Sequence, residues 1–352
     1  MTQIAHVVAV AARTPVGLAA EPSAAAIRAG VSRLMLQPHT LDARREPVRA
    51  ARDARLAPAL LGAKRVQELA SLALTELLRK LPARDATCVL AVAFAEPRPG
   101  IESGDAEAAV HRLEREAGAH FARLEARLLP RGHAGALAGI AHACDEIGRG
   151  SNALFLVGGA DSYFASGTFG WLESEGRLRV AGRAGGFSPG EGAAFVALTS
   201  ASTQRALGLR SLARVLGAGE ALEPRSWDDD VGPLGEGIAH AIRAASTSLR
   251  MPDERIDDIY NDLNGERLRN DDWGCAVLRV PELFVDASAY TTAVAECGDL
   301  GAASGALSCV LAVEAIRRAD SQRVAHAPAL VCGSSWNGLR AACLFRPAGE
   351  EH

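Results

Sequence analysis

The sequence predicts an α/β protein whose chain is internally duplicated. Strand-like apolar runs alternate with helix-like segments along its 352 residues, and this alternation is typical of α/β folds. A glycine followed by small residues opens a helix that leads into an apolar strand ending in glycine, once at 131–159 and again at 297–333. Chains of this length usually divide or duplicate their core. We therefore expect two related halves, residues 1–204 and 205–352.

The predicted elements follow one another in a regular order. Strands are expected at 6–12, 87–95, 153–161, 192–200, 212–219, 256–264, 329–335 and 341–347. Helical periodicity lies between them, at 66–78, 134–149, 234–249 and 301–318. Two segments, 42–65 and 96–130, are rich in Arg, Glu and Ala and are expected to form surface helices or excursions without strand character.

Composition excludes several functional classes. Lys and Arg total 38 against 42 Asp and Glu, for a net charge of -4, and the arginines are scattered, so we expect no nucleic-acid partner. No apolar run reaches the roughly 18 residues of a membrane span, and none is expected. The seven cysteines form no C-x-x-C pair, which predicts reduced thiols in a cytoplasmic protein and disfavours zinc and disulfides. We also expect no metal site and no cofactor.

The two repeated helices, at 134–149 and 301–318, are small and apolar almost all round. Such helices are expected to be buried, because small residues let neighbouring elements approach closely. Their N-termini should converge and present free backbone N–H groups with positive partial charge. The sequence therefore predicts a site between these two helix ends.

The chain resembles the β-ketoacyl synthases of the thiolase superfamily along nearly its whole length. The most specific feature is GGADS followed about two dozen residues later by GFSPGEGAAF. The pieces in family order are ARTPVGL (12–18), AAAIRAGVS (24–32), KRVQELASLALTELL (64–78), VLAVAFA (89–95), ALFLVGGADSYF (153–164), GRAGGFSPGEGAAFVAL (182–198) and LGAASGA (300–306).

This resemblance implies a duplicated thiolase-like fold, with two βαβαβαββ halves packed as five αβαβα layers. It also implies a homodimer, or a heterodimer with an active ketosynthase. A tunnel would receive an acyl chain from an acyl carrier protein or an acyl-CoA thioester.

The family's condensing chemistry uses a nucleophilic cysteine, two histidines and a supporting lysine, and this sequence departs from all four. His133 aligns with the cysteine at the start of the first central helix, Asn264 with the first histidine and Gly298 with the second. Ala293 stands at the lysine's place, and the glycine-rich gate loop is replaced by SWNGLR (335–340). We therefore expect no condensing activity.

Four residues are the candidates for any remaining catalysis. His133 could act as general base, oxyanion donor or acyl acceptor, or it could fill the space of a lost site. Cys297, just before the second helix, could supply a displaced thiol. Asp299, together with Glu296, could pair with His133 and orient it, although carboxylates in a first turn also serve as caps. Asn264 could hold a carbonyl by hydrogen bonding, or mark an Asn-Gly turn.

Substrate contacts are expected from Gly298 and from Trp336 and Asn337 of the gate loop. The charged stretch 266–269 could meet an anionic substrate, but we expect it to be a solvated loop. Glu191 is interpreted as a structural residue that braces loops at the site.

Three functions remain open. The first is a non-condensing protein that binds an acyl thioester or carrier, or that partners an active ketosynthase; its mark is a buried apolar tunnel. The second is an acyltransferase, decarboxylase or thioester hydrolase using His133 with Asn264 or Cys297, marked by side chains within about 2.6–3.2 Å of one another. The third is a structural assembly subunit with a filled pocket.

Overall fold

The computed structural model describes residues 4–82, 84–182, 185–322 and 327–349. Residues 183–184 of the motif at 182–198 and 323–326 of the second repeat lie outside them. The strands are β1 (Ala5–Arg13), β2 (Leu34–Leu41), β3 (Pro47–Ala51), β4 (Arg84–Ala93), β5 (Phe121–Leu128), β6 (Leu154–Ser162), β7 (Glu191–Thr199), β8 (Ala213–Leu222), β9 (Asp258–Tyr260), β10 (Tyr290–Thr291), β11 (Ala329–Ser334) and β12 (Leu339–Arg346). The helices are α1 (Ala20–Arg28), α2 (Gly62–Leu78), α3 (Ser103–Gly118), α4 (Gly135–Gly148), α5 (Thr168–Ser174), α6 (Ala201–Ala206), α7 (Glu236–Ala245), α8 (Arg267–Arg279), α9 (Val294–Cys297) and α10 (Ser304–Ser321).

The two halves of the chain share one topology. The main sheet has the order β10-β9-β11-β12-β8-β1-β7-β6-β4-β5. In the first half, β1 pairs antiparallel with β7, β7 pairs antiparallel with β6, and β6, β4 and β5 are parallel neighbours. In the second half, β8, β12, β11, β9 and β10 repeat these pairings in the same order. A three-residue pairing of β1 with β8 joins the halves. The boundary expected at residue 204 falls within α6 and stays a prediction.

The helices and sheet halves stack in the five layers that the resemblance implies. Helices α4 and α10 contact strands of both halves, and their side chains form the central core cluster. Helices α2 and α3 cover the outer face of the first half, while α7 covers that of the second. The duplicated thiolase-like fold is thereby confirmed.

Small residues bring the two central helices together at their N-terminal ends. A Cβ added to Gly305 would lie 2.6 Å from the carbonyl oxygen of His133, and one added to Gly159 would lie 2.1 Å from the carbonyl oxygen of Ala302. Both backbone contacts are too close for any residue with a Cβ atom. The predicted convergence of the two helix ends is therefore confirmed.

Two expectations about the elements were wrong. The segments 42–65 and 96–130 contain strands β3 and β5. Strand β3 pairs with β2 in a separate hairpin, and β5 is an edge strand of the main sheet. Edge strands tolerate charged side chains, which hid β5 from a search for apolar runs. Conversely, the candidate strand at 256–264 has only three strand residues, β9, and its remainder is irregular backbone leading into the site.

Candidate active site

His133 lies in the turn that leads into α4. Gly132 has a positive φ of 90°, and a Cβ there would lie 2.8 Å from Ser335 Oγ, so only glycine fits this turn. The backbone N–H of Ala134 donates to Ser335 Oγ at 2.9 Å, which caps the helix end from the gate loop. The start of α4 and the gate loop are thus held together around His133.

Asp299 contacts His133 from the segment that precedes α10. The distances from His133 Nε2 to Asp299 Oδ1 and Oδ2 are 3.0 and 3.1 Å. Oδ1 also accepts from the Tyr163 hydroxyl at 2.8 Å and from the Gly301 N–H at 2.8 Å, and Oδ2 accepts from Asn264 Nδ2 at 2.6 Å. His133, Asp299 and Asn264, three of the four candidates, therefore form one buried cluster.

The electrostatics of this cluster favour an ionic pair. Burial lowers the pKa of His133, but the Asp299 carboxylate outweighs burial and the net direction is upward, with Arg269 opposing it. Burial raises the pKa of Asp299, yet His133, Arg269 and the hydrogen bond from Asn264 hold it well below its usual range. Because the carboxylate only accepts, Nε2 of His133 carries a proton.

Asn264 links the pair to a second buried carboxylate. Its Nδ2 also donates to Glu266 Oε2 at 2.9 Å, and its Oδ1 accepts from the Glu266 N–H at 3.0 Å. Glu266 binds Arg177 Nε at 2.7 Å, and this arginine together with Arg269 lowers the pKa of Glu266 against the effect of burial. The turn at Asn264 therefore exists, but its side chain faces the site.

The expectation of a solvated charged loop was wrong for Glu266 and Arg269 but not for Arg267, whose side chain is 76% exposed. Glu266 is 9% exposed and Arg269 only 1%, and Arg269 lies in helix α8. Arg269 NH1 donates to Asp262 Oδ2 at 2.7 Å and to the Ser334 carbonyl at 2.6 Å. Charged side chains can be buried when they are paired in this way, and the sequence alone does not reveal the partners.

A cavity of about 200 Å³ adjoins His133. Its wall includes Arg98, His133, Asp161, Tyr163, Arg177 and Trp336. This volume is below the roughly 300–1,000 Å³ of pockets for drug-sized ligands, so the cavity is small. Its wall is also rich in charged groups, unlike the apolar tunnel that the resemblance implies.

Arg98 and Tyr163 belong to the site although the sequence did not single them out. Arg98 NH2 donates to Asp161 Oδ1 at 2.5 Å and to the Ser162 carbonyl at 2.9 Å, and its guanidinium lies 4.4 Å from the centre of the Tyr163 ring. Burial and the Asp299 charge raise the pKa of Tyr163 well above its ordinary value, so its hydroxyl stays protonated and donates. In the sequence, the position of Tyr163 directly after the GGADS motif could have indicated this residue. No sequence motif marked Arg98.

Trp336 forms part of the cavity wall within a stack of aromatic and cationic groups. The Arg177 guanidinium lies 3.9 Å from the Trp336 ring centre, and Trp336 stacks on Trp227 with centroids 5.2 Å apart. Asn337 is exposed, its N–H donates to Glu96 Oε1 at 2.8 Å, and its amide contacts the gate-loop backbone. Of these two candidates, only Trp336 lines the cavity.

Gly298 and Cys297 precede Asp299 in the chain, but their roles in the structure differ from its role in the cluster. Gly298 has a φ of 69°, and a Cβ there would lie 2.7 Å from the carbonyl oxygens of Ser188 and Pro189, so it shapes the backbone before Asp299. Burial raises the pKa of the Cys297 thiol to about 12, Glu296 adds to the rise, and hydrogen bonds with Thr14 and Val16 oppose it. Cys297 is fully buried, and its hydrogen bonds join it to the ARTPVGL segment. Glu296 lines a different cavity, beside α1.

Glu191 braces the loops next to the site, as its place in the motif predicts. Both its oxygens bind Arg65, at 2.5 and 2.6 Å, and both side chains are fully buried. The carboxylate also accepts from the Asp53 N–H at 2.7 Å and from the Ser162 hydroxyl at 2.7 Å. The end of β6, which carries Asp161 and Ser162, is thereby tied to α2.

Two kinds of feature are absent from the described part of the chain. Within 4–82, 84–182, 185–322 and 327–349, no group of three or more His, Cys, Asp or Glu side chains is arranged to hold a metal ion. In those same residues, no helix combines the length and apolarity that crossing a bilayer requires.

No family model and no curated protein matches the chain, but solved structures do. The complex AntDE:AntF, a type II PKS acyl-carrier protein with its ketosynthase bound to the hexaketide, has a TM-score of 0.80 and 14% identity over 99% of this chain and 100% of that chain. The ishigamide ketosynthase/chain length factor has a TM-score of 0.71 and 18% identity over 98% and 100%. The ketosynthase from module 6 of the Bacillus subtilis 168 bacillaene synthase has a TM-score of 0.74 and 12% identity over 99% and 72%.

These structures define the class of the fold. The chain has the thiolase-like fold of ketosynthases and chain length factors, over nearly its whole described length. Within that fold, the His133–Asp299 pair of this chain lies between the ends of α4 and α10.

Proposed function

We propose that this protein is a non-condensing acyl-thioester-binding protein that presents a short acyl group to His133. The observation that carries the proposal is the side chain at the start of α4. There the resemblance calls for a nucleophilic thiol, and His133 stands hydrogen-bonded to Asp299. Condensation needs a thiolate, and Cys297 is a buried thiol with a pKa near 12. An acyl group at this site is therefore bound without the usual covalent transfer.

The size of the cavity supports a short acyl group. About 200 Å³ is below the roughly 300–1,000 Å³ of pockets for drug-sized ligands. An acetyl or malonyl group fits that volume, whereas a medium-length alkyl chain would meet charged walls. The proposed ligand class is thus a short-chain acyl thioester.

The form in which the acyl group arrives is proposed from the similar structures. One of them holds an acyl-carrier protein with its ketosynthase, and another is a ketosynthase/chain length factor. We propose delivery on an acyl carrier protein or as an acyl-CoA thioester. The working unit is either a homodimer or a heterodimer with an active ketosynthase.

Calorimetry tests this proposal directly. Acetyl-, malonyl- and octanoyl-pantetheine are titrated into the purified protein, and intact mass is recorded afterwards. We expect the two short thioesters to bind, octanoyl-pantetheine to bind more weakly, and the protein mass to stay unchanged. A stable acyl adduct, or a β-ketoacyl product from malonyl- and acetyl-thioesters, would overturn the proposal.

A second function, thioester hydrolysis, is favoured by one specific observation. His133 Nδ1 is buried and has no hydrogen-bond partner among the described residues, while Nε2–H is held by Asp299. A carboxylate that orients a histidine in this way is the arrangement of a general base. In the step, water oxygen bonds to the thioester carbonyl carbon, its proton passes to Nδ1, the C–S bond breaks, and the thiol leaves with a proton.

Thiol release against pH tests hydrolysis. Release should rise with pH through the raised pKa of His133, because only the neutral ring accepts a proton at Nδ1. His133→Gln should abolish it, whereas His142→Gln, in the exposed part of α4, should leave it unchanged. Release that survives His133→Gln would contradict this second function.

A further inference from the structure

The side-chain amide of Asn264 lies between two buried carboxylates. Its Nδ2 donates to Asp299 Oδ2 at 2.6 Å and to Glu266 Oε2 at 2.9 Å. An amide nitrogen carries two hydrogens and ionised carboxylates only accept, so these two contacts use both hydrogens. One NH2 group therefore bridges two anions, and the nitrogen of the amide has to face them.

The turn that follows Asn264 holds the other end of the amide. Asn264 Oδ1 accepts from the Glu266 N–H at 3.0 Å, as in an Asx-turn. Gly265 between them has a φ of 100°, in the region that favours glycine. Every polar atom of the Asn264 side chain is thus engaged, and its orientation depends on the acceptor that Glu266 supplies.

Glu266 is itself held by Arg177, and its two oxygens have different tasks. Oε1 accepts from Arg177 Nε at 2.7 Å, whereas Oε2 accepts from Asn264 Nδ2 at 2.9 Å and lies 3.4 Å from Arg177 NH2. The side chains of Arg177 and Glu266 are only 12% and 11% exposed. Two oxygens are therefore needed at this position, one for the cation and one for the amide.

Asp299 depends on Asn264 on one of its two sides. Its Oδ1 accepts from the Tyr163 hydroxyl and from the Gly301 N–H, each at 2.8 Å. The hydrogen bonds of its Oδ2 are with Asn264 and with His133 Nε2. The amide therefore fixes the Oδ2 side of the carboxylate that holds the His133 ring.

We propose that Glu266 is a positioning residue that acts through Asn264. It keeps the amide nitrogen against Asp299 Oδ2, and Asp299 in turn keeps the Nε2–H of His133 hydrogen-bonded. This role belongs to the free protein, so it does not rest on the function proposed above, and its test needs no acyl thioester.

The Nε2–H proton of His133 reports this positioning by NMR. A ring proton held by a buried carboxylate exchanges slowly with water, and ¹⁵N-labelled histidine makes its exchange rate measurable. Glu266→Gln should raise the rate by about tenfold to a hundredfold, the factor that corresponds to one charge-assisted hydrogen bond. Glutamine has one acceptor oxygen, Arg177 takes it because its donor is charged, and the NH2 group then faces Asn264. The control, Glu236→Gln, removes a carboxylate paired with Arg279 at an exposed site and should leave the rate unchanged.

A matched pair of neutral variants separates positioning from charge. Glu266→Gln alone leaves Arg177 buried without its counter-ion, whereas changing both residues removes cation and anion together. Arg177→Met with Glu266→Gln frees the glutamine oxygen for Asn264, so we expect slow exchange, close to that of the unaltered protein. Arg177→Met with Glu266→Met offers Asn264 no acceptor, so we expect fast exchange. Equal rates in these two double variants would overturn the inference.

A variant of Asn264 tests whether Glu266 acts through it. Asn264→Ala should raise the exchange rate of the His133 proton as Glu266→Gln does, and the combined variant should show no further rise. Residues that act along one chain of contacts are non-additive in this way. An unchanged rate in Glu266→Gln, or effects of the two substitutions that multiply in the combined variant, would contradict the positioning role.

Discussion

His133 and Asp299 lie 166 positions apart in the chain, and their side chains meet with Nε2 3.0 Å from Oδ1. Each residue precedes the central helix of its own half, α4 for His133 and α10 for Asp299. The pair therefore lies where the two repeats of the fold converge. Its position makes it sensitive to substitutions in either half.

Replacing Asp299 by Asn should lower the pKa of His133. The carboxylate is what raises that pKa against burial, so a neutral amide leaves burial and Arg269 to dominate. The change should be visible in an NMR titration of the His133 ring. Asp145→Asn, at an exposed position of α4, is the matched control. An unchanged His133 pKa in Asp299→Asn would contradict the ionic pair.

The pair should contribute a pH-dependent part of the folding free energy. The folded pKa of His133 is raised above its ordinary 6.5, so its contribution is complete below about 6.5 and is lost as pH rises through the folded pKa. The folded pKa of Asp299 is lowered below its ordinary 3.8, so its contribution is present above that value and is lost as pH falls.

Urea unfolding between pH 4 and 9 measures this dependence. Asp299, Arg269 and Asp262 are the charged groups that act on His133. We expect stability to fall on the alkaline side in the unaltered protein and the fall to shrink in His133→Gln. Identical pH profiles for the two proteins would argue against a raised His133 pKa.

Glu191→Gln should destabilise the protein by about 3–5 kcal/mol, since it leaves the fully buried Arg65 without its counter-ion. Chemical denaturation measures the loss. Glu114→Gln, at a half-exposed site, should change stability by less than about 0.5 kcal/mol. A loss of similar size in both variants would show that Glu191 does not brace the loops.

Trp336→Ala should enlarge the cavity and admit longer acyl groups. The indole lies between the cavity and Trp227 and carries the Arg177 guanidinium on its face. We expect octanoyl-pantetheine to gain affinity relative to acetyl-pantetheine when both are measured by calorimetry. Leu222→Ala, at a residue that is 72% exposed, should keep the original ratio. An unchanged ratio in Trp336→Ala would mean that this side chain does not limit chain length.

Cys297 should resist alkylation in the folded protein. Its thiol is buried and its pKa is raised to about 12, so little thiolate exists near neutral pH. Peptide mapping after iodoacetamide treatment should find the half-buried Cys275 modified well before Cys297. Rapid modification of Cys297 in the native state would restore it as a nucleophile candidate.

The sequence by itself determined the architecture of this protein. The spacing of apolar residues and the local composition predicted the α/β class, the duplication and the two buried helices. Such local patterns indicate which face of a helix or strand is buried. The resemblance to the β-ketoacyl synthases added His133 and Asn264, which stand at the positions of family catalytic residues, and Asp299, which lies beside the position of the second histidine.

Only the tertiary structure decided what those residues contact and what surrounds them. Arg98 and Glu266 look like surface charges in the sequence, yet buried partners far along the chain, such as Asp161 and Arg177, make their burial possible. The size of the cavity is likewise a property of packing between both halves. Such long-range pairings leave no local periodic signal, because they depend on how the two halves come together.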